Sequence, residues 1–198
     1  FNSNKHIDID ELIEFIQKYK TWLNLYANLD VIGNAEKTLE NQKYMEEQGL
    51  FPLPAFHINE DFKFLEYYCK KYDYVALGGV AQLRTKKEIE NWLKKCFSIA
   101  DKHNTKIHGY AVTSDYLIKR YPFYSVDSTS WLSGGIYGLF YIFKRGELKL
   151  IGKNNKSPNR YNKLFNKLPR DKFLEWNLSQ WKKYAEYLEE KNGIQKIK

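Results

Sequence analysis

Only two of the 198 residues are cysteine, Cys69 and Cys96, and they stand too far apart for a CxxC pair. A disulfide framework and a zinc knot are therefore not indicated, and a reducing, cytoplasmic setting is expected. No apolar run approaches the roughly 20 residues of a membrane span, and no secretory signal opens the chain. A soluble protein without a membrane partner is expected. No GxGxxG follows the first predicted strand and no GxxxxGKS/T occurs, which argues against dinucleotide and nucleoside-triphosphate sites. Internal repeats and low-complexity linkers are also missing. The length suits one domain with a sizeable core.

What the sequence does have is an uneven charge. The formal net charge is +8, and Lys144 to Lys172 holds 10 Lys or Arg against the two acids Glu147 and Asp171. All of the excess lies there, since the remaining basic and acidic residues balance. A concentrated basic stretch interleaved with Tyr161 and Phe165 suggests phosphate contact; the alternative is a solvated basic face.

Hydrophobic periodicity predicts an alternation of strands and helices. A helix capped by Asp8 or Asp10 runs over 9–23. A short apolar run, 26–33, reads as a buried parallel strand. A helix over 35–48 stops at Gly49. Strand 51–58 carries two prolines near its start, Asn59 caps a helix over 60–71, and strand 74–80 follows. A helix over 86–103, strand 106–112, a short helix over 115–120 and strand 123–127 complete the series. Residues 134–152 then read as a β-hairpin turned at Arg145-Gly146, and a long helix capped near Asp171 ends at Gly193. Five strand–helix alternations predict right-handed βα units and a parallel sheet. The expected fold is α/β, a (β/α) barrel of the TIM type lacking its N-terminal strands, with a C-terminal hairpin and helix. The barrel part is placed at 1–133, and residues 134–198 are expected to pack on the same domain. A doubly wound sheet is the architectural alternative.

Polar and glycine residues recur at the carboxyl ends of these strands, where barrel enzymes keep their sites. Asp30 lies inside a buried strand, which is costly unless the acid is paired or functional. His57 ends the next strand, as a ligand contact or as a core or capping histidine. Gly78 and Gly79 mark a bulge or a close approach of backbone to a flat ligand. Thr113 follows the fourth strand. Asp127 ends the fifth among Ser and Thr residues, either as a carboxylate nucleophile or base or as the cap of the next turn.

Leu77-Gly78-Gly79, His108-Gly-Tyr-Ala-Val-Thr113 and Ser125-Val-Asp-Ser128, taken in order, resemble the second half of the tRNA-guanine transglycosylase barrel. The likeness is to its phage and bacterial relatives that handle deazaguanine bases in DNA, and it covers about Asn28 to Leu132. It implies that Asp127 attacks the sugar C1′ and that Asp30 hydrogen-bonds a purine-like base. Gly78 and Gly79 would offer backbone to the base's edge, and His57 and Thr113 would line the pocket. The zinc ligands of the tRNA enzymes are absent, so no metal and no cofactor is implied. The family's other catalytic aspartate, in an Asp-Ser-Gly-Gly-Phe type motif, is also absent. Five strands do not close an eight-stranded barrel. The chain is therefore expected to be a fragment missing some three βα units ahead of Phe1, or a half-barrel completed by a second chain or by its own copy.

The leading functional expectation is a base-exchange glycosyltransferase that replaces guanine by a 7-deazaguanine in DNA or tRNA. The alternatives are a noncatalytic nucleic-acid-binding subunit or fragment of such an enzyme, and an unrelated barrel hydrolase for a small phosphorylated or sugar substrate. Lys144, Arg145, Lys149, Lys153, Lys156, Arg160 and Lys163 are the expected phosphate contacts. Replacing Lys153, Lys156, Arg160 and Lys163 with Gln should shallow the log–log salt dependence of nucleic-acid binding by roughly 2 to 4 units. Fluorescence anisotropy over a salt series with duplex, single-stranded DNA and a tRNA hairpin measures it. An unchanged slope on all three rejects the segment as the binding element.

Overall fold

The computed structural model describes residues 7–83, 85–112, 114–132, 139–151 and 169–192. Among them it is a mixed α/β structure with six α-helices and a four-stranded parallel sheet. The chain divides into two units, one running to Val112 and resuming over Leu117–Asp127, the other made of Thr113–Tyr116 and Ser128 onward. No helix of the described residues is long and apolar enough to cross a membrane.

The first unit contains α1 (Ile9–Tyr19), α2 (Ala35–Glu47), β1 (Ala55–His57), α3 (Phe62–Lys71), β2 (Tyr74–Gly78), α4 (Lys86–His103), β3 (Lys106–Gly109) and β4 (Ser125–Val126). Helix α5 (Asp115–Arg120) straddles the division. The sheet order is β1-β2-β3-β4, parallel throughout. It lacks the reversal that defines a doubly wound sheet. The register aligns Ala55, Ala76, His108 and Ser125 in one row, and Phe56 with Leu77 in the next. Side chains alternate faces along a strand. The Phe56 row is the helix-facing one: its ring stacks on Trp92 of α4 and packs on Phe62 of α3. Phe56, Val75, Leu77 and Ile107 are fully or almost fully buried there, each worth roughly 1.5–3 kcal/mol. On the opposite face Leu53, Ala55 and Ala76 are covered by Tyr74 and Tyr110.

Local chemistry explains where elements start and stop. The capping box of Thr85 and Glu88 opens α4 at Lys86, and α3 is capped by Asp61, whose carboxylate accepts the Lys63 N–H. Asn59, the expected cap, instead takes a positive φ of 64° in the turn before it. Helix α1 stops at Tyr19, short of the expected 23, and Trp22 is 85% exposed. The strand expected over 26–33 is reduced to one parallel bridge, Ala27 with Leu53. Helix α2 is the reason: Thr38 Oγ1 accepts the Val31 N–H at 2.8 Å and Asn41 Nδ2 donates to the Leu29 carbonyl at 2.8 Å. These side chains satisfy backbone groups that a neighbouring strand would otherwise need to pair.

The second unit is built on β5 (Phe140–Lys144), β6 (Glu147–Ile151) and α6 (Arg170–Asn192). The hairpin turns at Arg145-Gly146, where φ is +55° and +77°, as a two-residue turn between twisted strands requires. An isolated two-stranded hairpin is marginal in water. Helix α6 supports it through ring contacts of Phe173 with Phe140, Trp181 with Tyr141, and Tyr184 with Phe143. It also completes the open edge of β5. Buried Asn177 accepts the Tyr141 N–H at 2.9 Å and donates to the Trp131 and Leu139 carbonyls, and Gln180 accepts the Phe143 N–H at 3.1 Å. Asn177→Leu keeps the volume but strands the Tyr141 N–H in the interior, which should cost about 1–3 kcal/mol. The measurement is urea unfolding followed by tryptophan fluorescence; an unchanged midpoint would show that the amide does not hold this edge.

Candidate functional site

The face of the sheet away from the helices gathers polar side chains at the strand ends, all within the first unit. His57 closes β1 and is 4% exposed. Its Nε2 lies 2.6 Å from Asp30 Oδ2, a close polar contact without the direction of a good hydrogen bond, and its Nδ1 has no partner among the described residues. The ring lies on Gly78: a Cβ there would stand 2.4 Å from Cε1 and 2.5 Å from Nδ1. Only glycine fits under that imidazole. The His57 backbone N–H donates to Glu60 Oε2 at 2.8 Å. Burial pushes the Glu60 carboxyl above its ordinary value; the His57 amide and ring oppose this, and the Asp30 charge adds to it.

Asp127 follows β4, with its side chain 61% exposed. Its Oδ1 accepts the Ala111 N–H at 3.0 Å and lies 3.5 Å from His108 Nε2. Ala111 has φ +55°, a left-handed conformation that costs a non-glycine residue about 1–2 kcal/mol. The carboxylate therefore also pins the loop after β3. Capping of the next turn falls to Ser128, whose Oγ accepts the Ser130 N–H at 2.9 Å. His108 Nδ1 stands 2.5 Å from Ser125 Oγ, and Ser125 Oγ is also bonded to the Tyr74 hydroxyl. Burial lowers the His108 pKa against the opposing pull of Asp127.

Tyr110 lies between these two groups. Its hydroxyl is buried without a hydrogen-bond partner. Its pKa is pushed up, first by burial and then by the charges of Asp30 and Asp127. The charges of both carboxylates thus act on one phenol, which stays protonated at neutral pH. Asp30 also borders a cavity of about 600 Å³ whose walls include Ile9, Leu29, Val31 and Lys37, a volume within the range of small-molecule sites.

The structure brings together Asp30, His57 and Gly78 on one side and sets Asp127 at the other end of the sheet, with Tyr110 between. Gly79 is not part of this face in the same way. It takes φ +85° to open the 3-10 turn Val80–Gln82, and a Cβ on it would meet Ile58 at 2.9 Å. Lys144, Arg145 and Lys149 belong to the hairpin of the second unit, Lys149 pairing with Glu147 at 2.9 Å. Thr113, Lys153, Lys156, Arg160 and Lys163 lie outside the described residues. His108, Tyr110 and Ser125 stood in the sequence motifs without a site role of their own, and Glu60 was not singled out. The alternation His108-Gly-Tyr110 along one strand was the available signal, because it places both rings on one face. Among the described residues no group of three or more His, Cys, Asp and Glu is arranged to hold a metal ion. Comparison with family models, curated proteins and solved structures yields no match.

The contact of His57 with Gly78 is directly testable. Gly78→Ala forces Cβ into the imidazole and should cost about 1–3 kcal/mol, the usual penalty of overpacking. In a His57→Ala background most of that penalty should vanish, giving a coupling of similar size in a double-mutant cycle. Equal penalties in both backgrounds would show that something other than the His57 ring excludes a side chain there.

Proposed function

We propose that the chain carries the nucleophile and the base-reading acid of a base-exchange glycosyltransferase, one that replaces guanine by a 7-deazaguanine in DNA or tRNA. The observation that carries this reading is the pair of carboxylates, Asp30 and Asp127, at the two ends of one sheet face and both within electrostatic reach of the buried hydroxyl of Tyr110. The fold reading that goes with it is an arc of a TIM-type barrel. In support, the parallel strands pair in chain order, as the successive βα units of a barrel do. Further strands beside Ala27 and beside β4 would close such a barrel, supplied by a second copy or by another segment.

In this scheme Asp127 Oδ2 attacks C1′ as the C1′–N9 bond breaks, and the carboxylate stabilises the oxocarbenium character of that carbon before trapping it. Oδ1 is occupied by the Ala111 N–H and faced by His108, whereas among the described residues no hydrogen bond or ion pair engages Oδ2. The leaving base takes a proton from water at its ring nitrogen. The incoming base gives one up there and displaces Asp127, so atoms and charge balance over the exchange without a cofactor. Asp30, an acceptor, matches the N–H groups of a 2-amino-6-oxo ring, and the Tyr110 hydroxyl can donate to an acceptor on it. The target nucleotide has to leave its stack to reach this face.

One observation favours the noncatalytic reading: the His57 ring already covers Gly78, so a base whose edge met that backbone would require His57 to swing away. The same experiment separates the two. Incubated with labelled guanine and either duplex DNA or tRNA, the wild-type chain with any barrel-completing partner should incorporate label. Asp127→Asn should incorporate none while keeping its fold and nucleic-acid affinity. Asp30→Ala should weaken binding of the free base by about 1–3 kcal/mol in calorimetry. Undiminished incorporation by Asp127→Asn removes the nucleophile assignment. Nucleic-acid binding without incorporation by wild type leaves the binding subunit as the reading.

A further inference from the structure

We infer that Tyr74, Ser125 and His108 form a one-directional hydrogen-bond chain that fixes His108 as its Nε2–H tautomer and aims that proton at Asp127 Oδ1. His108 is thereby a positioning residue for the carboxylate. The role in exchange rests on Asp127 being the nucleophile, whereas the chain and its direction do not.

The direction follows from what each atom can donate. Asp127 Oδ1 is already an acceptor, since it receives the Ala111 N–H at 3.0 Å. The 3.5 Å separation from His108 Nε2 is an electrostatic contact, longer than a hydrogen bond, and it is favourable only with a proton on that nitrogen. A neutral imidazole has one N–H and one lone pair, and burial among Tyr74, Tyr110 and Ser125 keeps this ring neutral. Nδ1 must then accept, so the proton on the 2.5 Å contact comes from Ser125. Ser125 Oγ has only lone pairs left for Tyr74, and the phenol donates to it. Reversing any link turns the Nε2 lone pair toward a carboxylate. Tyr74 opens β2 and Ser125 opens β4, so the two strands that flank β3 both reach to His108 on it.

Serine, histidine and carboxylate are also the residue types of a hydrolytic triad. Here the exposed end is the carboxylate, 61% open, while the serine is half-buried and already receives a tyrosine hydroxyl. That order of exposure makes Asp127 the reacting group and Ser125 its remote support. A neutral N–H on Oδ1 holds the carboxylate's orientation, leaves its negative charge in place and leaves Oδ2 for reaction.

The test is the imidazole tautomer, read by long-range ¹H–¹⁵N correlation on the full ¹⁵N-labelled chain near pH 7, with the His108 signals assigned by their loss in His108→Gln. The wild type should show Nε2–H. Ser125→Ala removes the donor to Nδ1 and should shift His108 toward the other tautomer; Tyr74→Phe should do so in part, although it lies one hydroxyl away. Ser125→Thr restores a hydroxyl and should restore the wild-type pattern. Nδ1–H in the wild type, or an unmoved pattern in both Ser125→Ala and Tyr74→Phe, overturns the inference. In the guanine exchange assay Ser125→Ala should lower kcat on the order of ten-fold with KM unchanged. If wild type exchanges no base, the functional reading fails while the tautomer result still decides the chain. If exchange occurs and Ser125→Ala is fully active, the positioning role fails alone.

Discussion

Because each strand of the parallel sheet pairs with the next strand in the chain, right-handed connections advance one way and lay the following helices on one face. The other consequences in the first unit descend from that constraint. The row of Phe56, Val75, Leu77 and Ile107 is committed to the helix layer and is large and apolar. The opposite row is left to small and polar residues: Ala55, His57, Ala76, Gly78, His108 and Ser125. A site can form on that face because register brings side chains from four separate strands to neighbouring positions.

The site is held together at some cost. His57 Nδ1, Glu60 Oε1 and the Tyr110 hydroxyl are buried without partners, and each such group costs about 1–3 kcal/mol relative to a satisfied one. Ala111 adds a left-handed backbone. Against these stand the helix-facing core and the close fit of the His57 ring on Gly78. Such groups are not confined to this face, since Trp92 Nε1 and the Tyr68 hydroxyl are also buried without partners in the helix layer.

The second unit solves a different problem, an edge strand with unpaired backbone groups. Here the solution comes from side chains: Asn177 and Gln180 on α6 take the N–H groups of Tyr141 and Phe143, and Trp176 Nε1 donates to the Tyr141 carbonyl. The rings of Phe173, Trp181 and Tyr184 on the same helix cover the hairpin. The device resembles what Thr38 and Asn41 of α2 do for Val31 and Leu29 in the first unit. In both places a helix supplies amide or hydroxyl groups where another strand would have supplied backbone.

Local signals determined what depends on neighbours in the chain. The amphipathic periodicity of 86–103 placed α4, the Arg145-Gly146 pair placed the hairpin turn, and the strand–helix rhythm implied a parallel α/β sheet. They also marked Asp30, His57, Gly78 and Asp127 as residues at strand ends. What the local signals missed are partnerships between distant positions. The 26–33 run reads as a strand by its apolarity, but α2 takes its backbone groups. Gly78 reads as open backbone, but a ring from another strand fills the space. The chain from Tyr74 through Ser125 to His108 joins residues 51 and 17 positions apart. Periodicity and propensity act over one or two turns of chain, whereas hydrogen-bond direction and steric fit depend on separations of a few ångströms that exist only after the strands have paired in register.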